Sequence, residues 1–282
     1  MLAGPHPDQA PPGDTYYNSV SFLHHASDGG TPPVSFNERS SWAASVTASG
    51  GVWSATSKFS PRSFDLNPTV NTDATQHIRV NSPETGTLAK TKRFDFANGT
   101  VDFTLEGWFR IEDIPLLTGG SDYDGCLFST YNSAGGAGWF VTIYSSTGSS
   151  IDGVYVWDGT TGHDFPSGNT FGALPLNSWL HIAVVMENPV VRVYVNGVQI
   201  GPVDGTGVYG YAMTGAWYDD TTVSGHGLRV GALNSTAPLG FRGKVDEVRV
   251  TKGVARYTSS VLFPSPTSPS FIVPNTPFPK TV

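Results

Sequence analysis

A single cysteine, Cys126, occurs among the 282 residues, which excludes an intrachain disulfide and any cysteine-based zinc site. With no basic or histidine neighbour in sequence, it reads as a small buried apolar residue rather than a nucleophile. Charge is also scarce. Charged side chains make up 14% of the chain, against about 25% in an ordinary soluble protein. Lys and Arg number 16 against 23 Asp and Glu, for a formal charge of -7. A phosphate-binding face needs the opposite balance, so nucleic acid is excluded as a partner. No apolar run approaches the ~20 residues of a membrane-spanning helix, so no membrane insertion is expected. The first residues lack the basic start and apolar stretch of a secretion signal. With one cysteine, this fits folding in a reducing cytoplasm. No long segment keeps a 3.6-residue apolar period, which leaves no place for extended helices.

Glycine (33) and proline (21) are plentiful instead, the mark of many short strands joined by tight turns. Phe103, Leu105 and Phe109 alternate with Thr104, Glu106 and Arg110, so Glu106 and Arg110 share a polar face and are expected to pair. Val191, Val193 and Val195 alternate in the same way. Asn196-Gly197 then supplies the two positive-φ positions of a type I′ turn, and Val198 and Ile200 begin the return strand. Further strands are expected at 19–24, 76–80, 125–130, 138–144, 153–157, 179–186, 227–231 and 244–251. So many strands in one chain imply two packed antiparallel sheets, an all-β sandwich of jelly-roll type. Residues 1–18 and 264–282 are Pro-rich arms that cannot pair as central strands. They either wrap their own domain or dock on neighbouring subunits, and their removal is expected to leave the 19–263 domain folded.

The run from Phe241 to Thr258, with Asp246-Glu-Val-Arg-Val-Thr-Lys-Gly-Val-Ala-Arg-Tyr257 at its heart, resembles the last strand of laminin-G-like, concanavalin A-like jelly rolls. Its wording is most similar to the version in virion proteins of tailed bacteriophages. Asp102-Phe-Thr-Leu-Glu-Gly-Trp108, Leu176-Asn-Ser-Trp-Leu-His-Ile-Ala-Val-Val185, Tyr194-Val-Asn-Gly-Val-Gln199 and Leu228-Arg-Val-Gly231 follow the family's order. The resemblance covers most of 19–263. It implies a non-enzymatic structural virion protein, decorating the capsid or attached to the tail. Such a protein would be present in many copies or as a homo-oligomer, with its arms fastened to other virion subunits. The alternative is a carbohydrate-binding adhesin that recognises host surface glycans. Such jelly rolls often hold a structural calcium ion against the final strand. The matching position is Asp246, and Asp28, in the altered segment His25-Ala-Ser-Asp28, is the candidate second ligand. By alternation Asp246 shares a face with Val248 and Val250, where a carboxylate must find donors or a cation.

Two places offer a glycan or interface surface. Trp217, Tyr218, Asp219 and Asp220 sit at the centre of the long 201–227 connection, and long connections inside a compact domain are often functional. Tyr155 and Trp157 share one strand face opposite Val154 and Val156, forming an aromatic platform. The β-glucan-cutting enzymes of this fold carry Glu-x-Asp-x-Glu or Glu-x-Asp-x-x-Glu on one strand. The six glutamates here contain no such pair, so no catalytic residue is expected. His24 and His25 are adjacent and face opposite sides of a strand, so they cannot share a metal. His181, where the family commonly has histidine, reads as a packing residue.

Overall fold

In a computed structural model of the chain, the structure describes residues 16, 19–24, 35–36, 45–59, 61–66, 76–81, 94, 96, 101–116, 123–131, 138–204, 207–208, 210–213, 227–233, 239–258, 271 and 273–278. Among these the strands in chain order are β1 (Val20–His24), β2 (Ser35–Phe36), β3 (Ser45–Ser49), β4 (Val52–Ser54), β5 (Ser63–Leu66), β6 (His77–Asn81) and β7 (Phe103–Asp113). Next come β8 (Tyr123–Ser129), β9 (Phe140–Ser145), β10 (Ser150–Ile151), β11 (Gly153–Trp157), β12 (Gly162–Pro166), β13 (Leu174–Pro175) and β14 (Trp179–Glu187). The last are β15 (Val190–Val195), β16 (Val198–Ile200), β17 (Val203–Asp204), β18 (Gly207–Val208), β19 (Tyr211–Ala212), β20 (Arg229–Val230) and β21 (Arg242–Lys252). No α-helix occurs among the described residues.

Two antiparallel sheets face each other, as the alternation requires. One has nine strands in the order β16-β15-β14-β7-β21-β5-β4, with β1 also on β21 and β19 also on β15. The other has eight, β12-β11-β9-β8-β20-β6-β3-β2. Phe103, Leu105 and Phe109 of β7 meet Val141 and Ile143 of β9, Val154 and Val156 of β11 and Phe128 of β8 in one buried cluster between the sheets. The hairpin at Asn196-Gly197 forms with φ of 49° and 78°.

Strict alternation fails at two places in β21, the first between Arg242 and Gly243. At the second the register slips between Asp246 and Val248, and Glu247 adopts φ 53°. This is a β-bulge, one extra residue that reverses which face the chain presents. Val245 therefore lies opposite Phe109 and enters the core, whereas Asp246 lies opposite Trp108 on the outer side. The expectation that Asp246 shares a face with Val248 and Val250 is corrected by that slip.

The outer side of the nine-stranded sheet is covered by the chain's own C-terminal residues. Tyr257 and Phe271 stack with centroids 3.8 Å apart and pack on Ala183, Val185 and Tyr194. Phe278 is buried against Val20 and Leu23. The Phe271 N–H donates to the Gly197 carbonyl (3.1 Å), and the Phe278 N–H donates to Glu247 Oε2 (2.8 Å). Of the two fates open to the C-terminal arm, its described residues take the first and wrap their own domain. Of the N-terminal arm only Tyr16 is described, with the Arg256 guanidinium 5.4 Å from its ring centre.

Candidate functional site

Beneath that cover lies a buried ion cluster. Glu106 is fully enclosed, and its Oε1 accepts from Arg249 at 2.8 Å. Its Oε2 accepts from the Tyr257 hydroxyl at 2.6 Å and contacts His181 Nε2 at 3.1 Å. Burial alone would raise its pKa, but Arg249 and His181 outweigh burial and hold it at about 2. The expected Glu106–Arg110 pair does not form, because Arg110 pairs with Glu112. Cross-strand pairing explains the outcome, since Glu106 lies directly opposite Arg249 of β21. His181 is buried among Trp108, Tyr257, Phe271 and Phe278. The cluster is sealed from ligand, and its role is structural.

Asp246 is also sealed, 1% exposed. Its Oδ2 accepts the N–H groups of Lys58 and Phe59, each at 3.0 Å. Both groups present hydrogens to the carboxylate, where a cation would need oxygens, and Lys58 Nζ stands 4.0 Å from the centre of the neighbouring Trp108 ring. Among the described residues no three His, Cys, Asp or Glu side chains converge to hold an ion. The described surroundings of Asp246 do not fit calcium, and Asp28 lies outside the described residues. Burial and the adjacent Glu247 carboxylate push the Asp246 carboxyl up to about 8, against the backbone N–H donors of Phe59, Lys58 and Glu247 that favour its charged form.

The open site lies on the outer face of the eight-stranded sheet. Val141, Ile143, Val154 and Val156 enter the core, so Phe140, Thr142 and Tyr144 of β9 and Tyr155 and Trp157 of β11 point outward. There Phe140, Thr142, Tyr144 and Tyr155 line a groove of about 580 Å³, together with Asp124, Asp152 and Asp164, and Trp157 lies beside it. The Phe140 and Trp157 rings lie within 15° of parallel with centroids 6.1 Å apart, and Tyr155 is 5.9 Å from Phe140 at 34°. Together they form an aromatic ribbon, half-buried along its length.

Two glycines seat the tyrosines. A Cβ at Gly162 would run into the Tyr155 hydroxyl, and one at Gly153 into the Tyr144 hydroxyl and the Phe165 carbonyl. The absent side chains let both rings lie close against the sheet. Burial, with nearby Asp164 and Asp152, pushes the Tyr144 phenol up to about 12. Burial and Asp164 raise Tyr155 in the same direction. Both hydroxyls therefore stay protonated and can donate.

Of the residues singled out from sequence, Tyr155 and Trp157 thus lie together on this ribbon. Trp217, Tyr218, Asp219 and Asp220 lie outside the described residues. Phe140 and Tyr144 were missed, although the alternation over 140–144 carries the signal that marked Tyr155 and Trp157. Cys126 is fully buried, its Sγ 3.4 Å from the Phe128 carbonyl, and burial raises its thiol pKa, so it is not a nucleophile.

Against known proteins, a family model described as the concanavalin A-like lectin/glucanases superfamily matches residues 83–256. No curated protein matches the chain in sequence. Among solved structures, the chain is similar to a Trypanosoma rangeli sialidase in complex with 2,3-difluorosialic acid, with 16% identity and a TM-score of 0.52. That match covers 83% of this chain and 31% of the sialidase. It is also similar to domain 4 of an extracellular GH43 arabinanase from Geobacillus stearothermophilus, solved with arabinotriose, with 14% identity and a TM-score of 0.49, covering 84% of this chain and 94% of that one. At such identity these likenesses concern the fold alone.

Proposed function

Because the chain belongs to the concanavalin A-like lectin/glucanase superfamily, we propose that it is a non-enzymatic carbohydrate-binding jelly roll whose glycan lies along the Trp157–Phe140–Tyr155 ribbon. The half-buried ring ribbon carries this reading, with Phe140 and Tyr155 in the groove and Trp157 stacked beside Phe140. A sugar ring has an apolar C–H face and a rim of hydroxyls. Flat aromatic surfaces take the first, and a few convergent polar groups take the second. Here the hydroxyls of Tyr144 and Tyr155 and the rim carboxylates supply those polar groups.

The protein's place is proposed to be the particle of a tailed bacteriophage, on capsid or tail, with the N-terminal arm (residues 1–18) fastening it to other virion subunits. The wording of residues 246–257 supports this placement. Many displayed copies would turn weak binding at each groove into strong adhesion. A glycan array with the intact chain, run in calcium and again in EDTA, tests the binding reading. Hits are expected in both buffers and are expected to vanish in Phe140→Ala and Trp157→Ala. No hit from the folded protein in either buffer would sink the glycan reading and leave the structural role.

A further inference from the structure

The groove is acidic throughout. Asp124, Asp152 and Asp164 line it, and among the described lining residues there is no Lys, Arg or His. Among the described residues, Arg229 and Arg79 on that sheet face sit opposite one another across β20 and β6. They are separated from the ribbon by β8, and Arg229 is 5% exposed. Asp152 has its Oδ2 committed to the Ser146 N–H (2.7 Å) and hydroxyl (2.6 Å). Asp164 is exposed and lies opposite Tyr155 at the end of the ribbon.

These carboxylates are too dispersed for a metal, since no three acidic or imidazole side chains converge among the described residues. Charge spread along an aromatic floor suits a ligand that carries its own cations at intervals. An anionic sugar would meet only repulsion there. Resting on the glycan reading above, we infer that this groove selects amino sugars: oligosaccharides bearing free, protonated amines, in preference to neutral and acidic ones. The aromatic ribbon holds the sugar faces, and Asp164 and Asp124 hold the ammonium groups.

Calorimetric titration of the intact chain with three probes tests this: a glucosamine tetramer with free amines, its fully N-acetylated counterpart, and sialyllactose. The amine form is expected to bind about tenfold tighter than the acetylated form at low salt, as one or two partly exposed ion pairs allow. That margin should shrink as ionic strength rises. Sialyllactose should bind weakest. Asp164→Asn, checked for folding by thermal melting, should lose most of the preference while still binding the acetylated tetramer. Asp124→Asn provides a second test should the first variant prove unstable. Equal or tighter binding of the acetylated tetramer, or preference for sialyllactose, overturns the amino-sugar assignment and leaves the glycan reading standing. If no probe binds and the array is also blank, both fall together.

Discussion

Glu106 and Asp246 are both buried on the outer side of the nine-stranded sheet, yet their neighbours differ in kind. Arg249 and His181 surround Glu106, whereas Asp246 meets backbone N–H groups and the carboxylate of Glu247. Glu106 falls from an ordinary 4.5 to about 2 on folding, so its contribution is present above pH 4.5 and is lost as pH drops from there towards 2. Asp246 rises from 3.8 to about 8, so the folded state binds the proton more tightly and stability declines as pH climbs between those values. Asp246→Asn keeps an oxygen to accept the Lys58 and Phe59 N–H groups and removes the charge. Denaturation midpoints at pH 5 and pH 8 should therefore lie closer together in the variant than in the parent. An unchanged difference would refute the assignment to Asp246. Glu106→Gln leaves Arg249 buried without its counter-charge and is expected to cost about 3 kcal/mol, read by guanidinium denaturation at pH 7.

At the scale of the strand, the value of simple alternation depends on an uninterrupted pleat. It locates the 191–200 hairpin and the outward pair Tyr155 and Trp157, because β11 and β15 run without irregularity. It misplaces Asp246, because nothing in the side-chain pattern marks Glu247 as the extra residue of a bulge. It also names the wrong partner for Glu106, since Arg249 lies on a strand far along the chain and only the register of β7 against β21 brings it across. The groove is a case between these. Its floor is readable strand by strand, but the assembly of β8, β9, β11 and β12 around it is a property of the sheet. Gly162 tests that assembly. The nearest atoms a methyl group there would meet are the hydroxyl and adjoining ring carbons of Tyr155, so Gly162→Ala should leave the melting temperature within a few degrees. Glycan affinity should drop several-fold as the ring is lifted from its seat. A large loss of stability with unchanged binding would contradict the seating of Tyr155.

For the whole molecule, the described residues of the C-terminal arm pack on the domain that their removal was expected to leave folded. Phe271 and Phe278 close the outer face over the Glu106 cluster. Removing residues 271–282 should therefore lower the melting temperature and raise binding of a hydrophobic dye, not leave an intact domain. Because the groove is on the opposite sheet, glycan binding measured well below the new melting temperature should persist. The composition indicates a sandwich and the order of its landmarks indicates the family, whereas a Pro-rich tail reads the same whether it wraps its own chain or another.

Val20 of β1 pairs with Thr251 of β21, and His24 with Val248. The nine-stranded sheet thus joins two strands that lie far apart in the chain, the first made well before the second. On the ribosome, β1 must wait without its partner until residues beyond 252 have cleared the exit tunnel. Its apolar residues meanwhile stay open to chaperones or to the same strand of a neighbouring nascent chain. The time of exposure is set by translation speed as much as by any intrinsic folding rate.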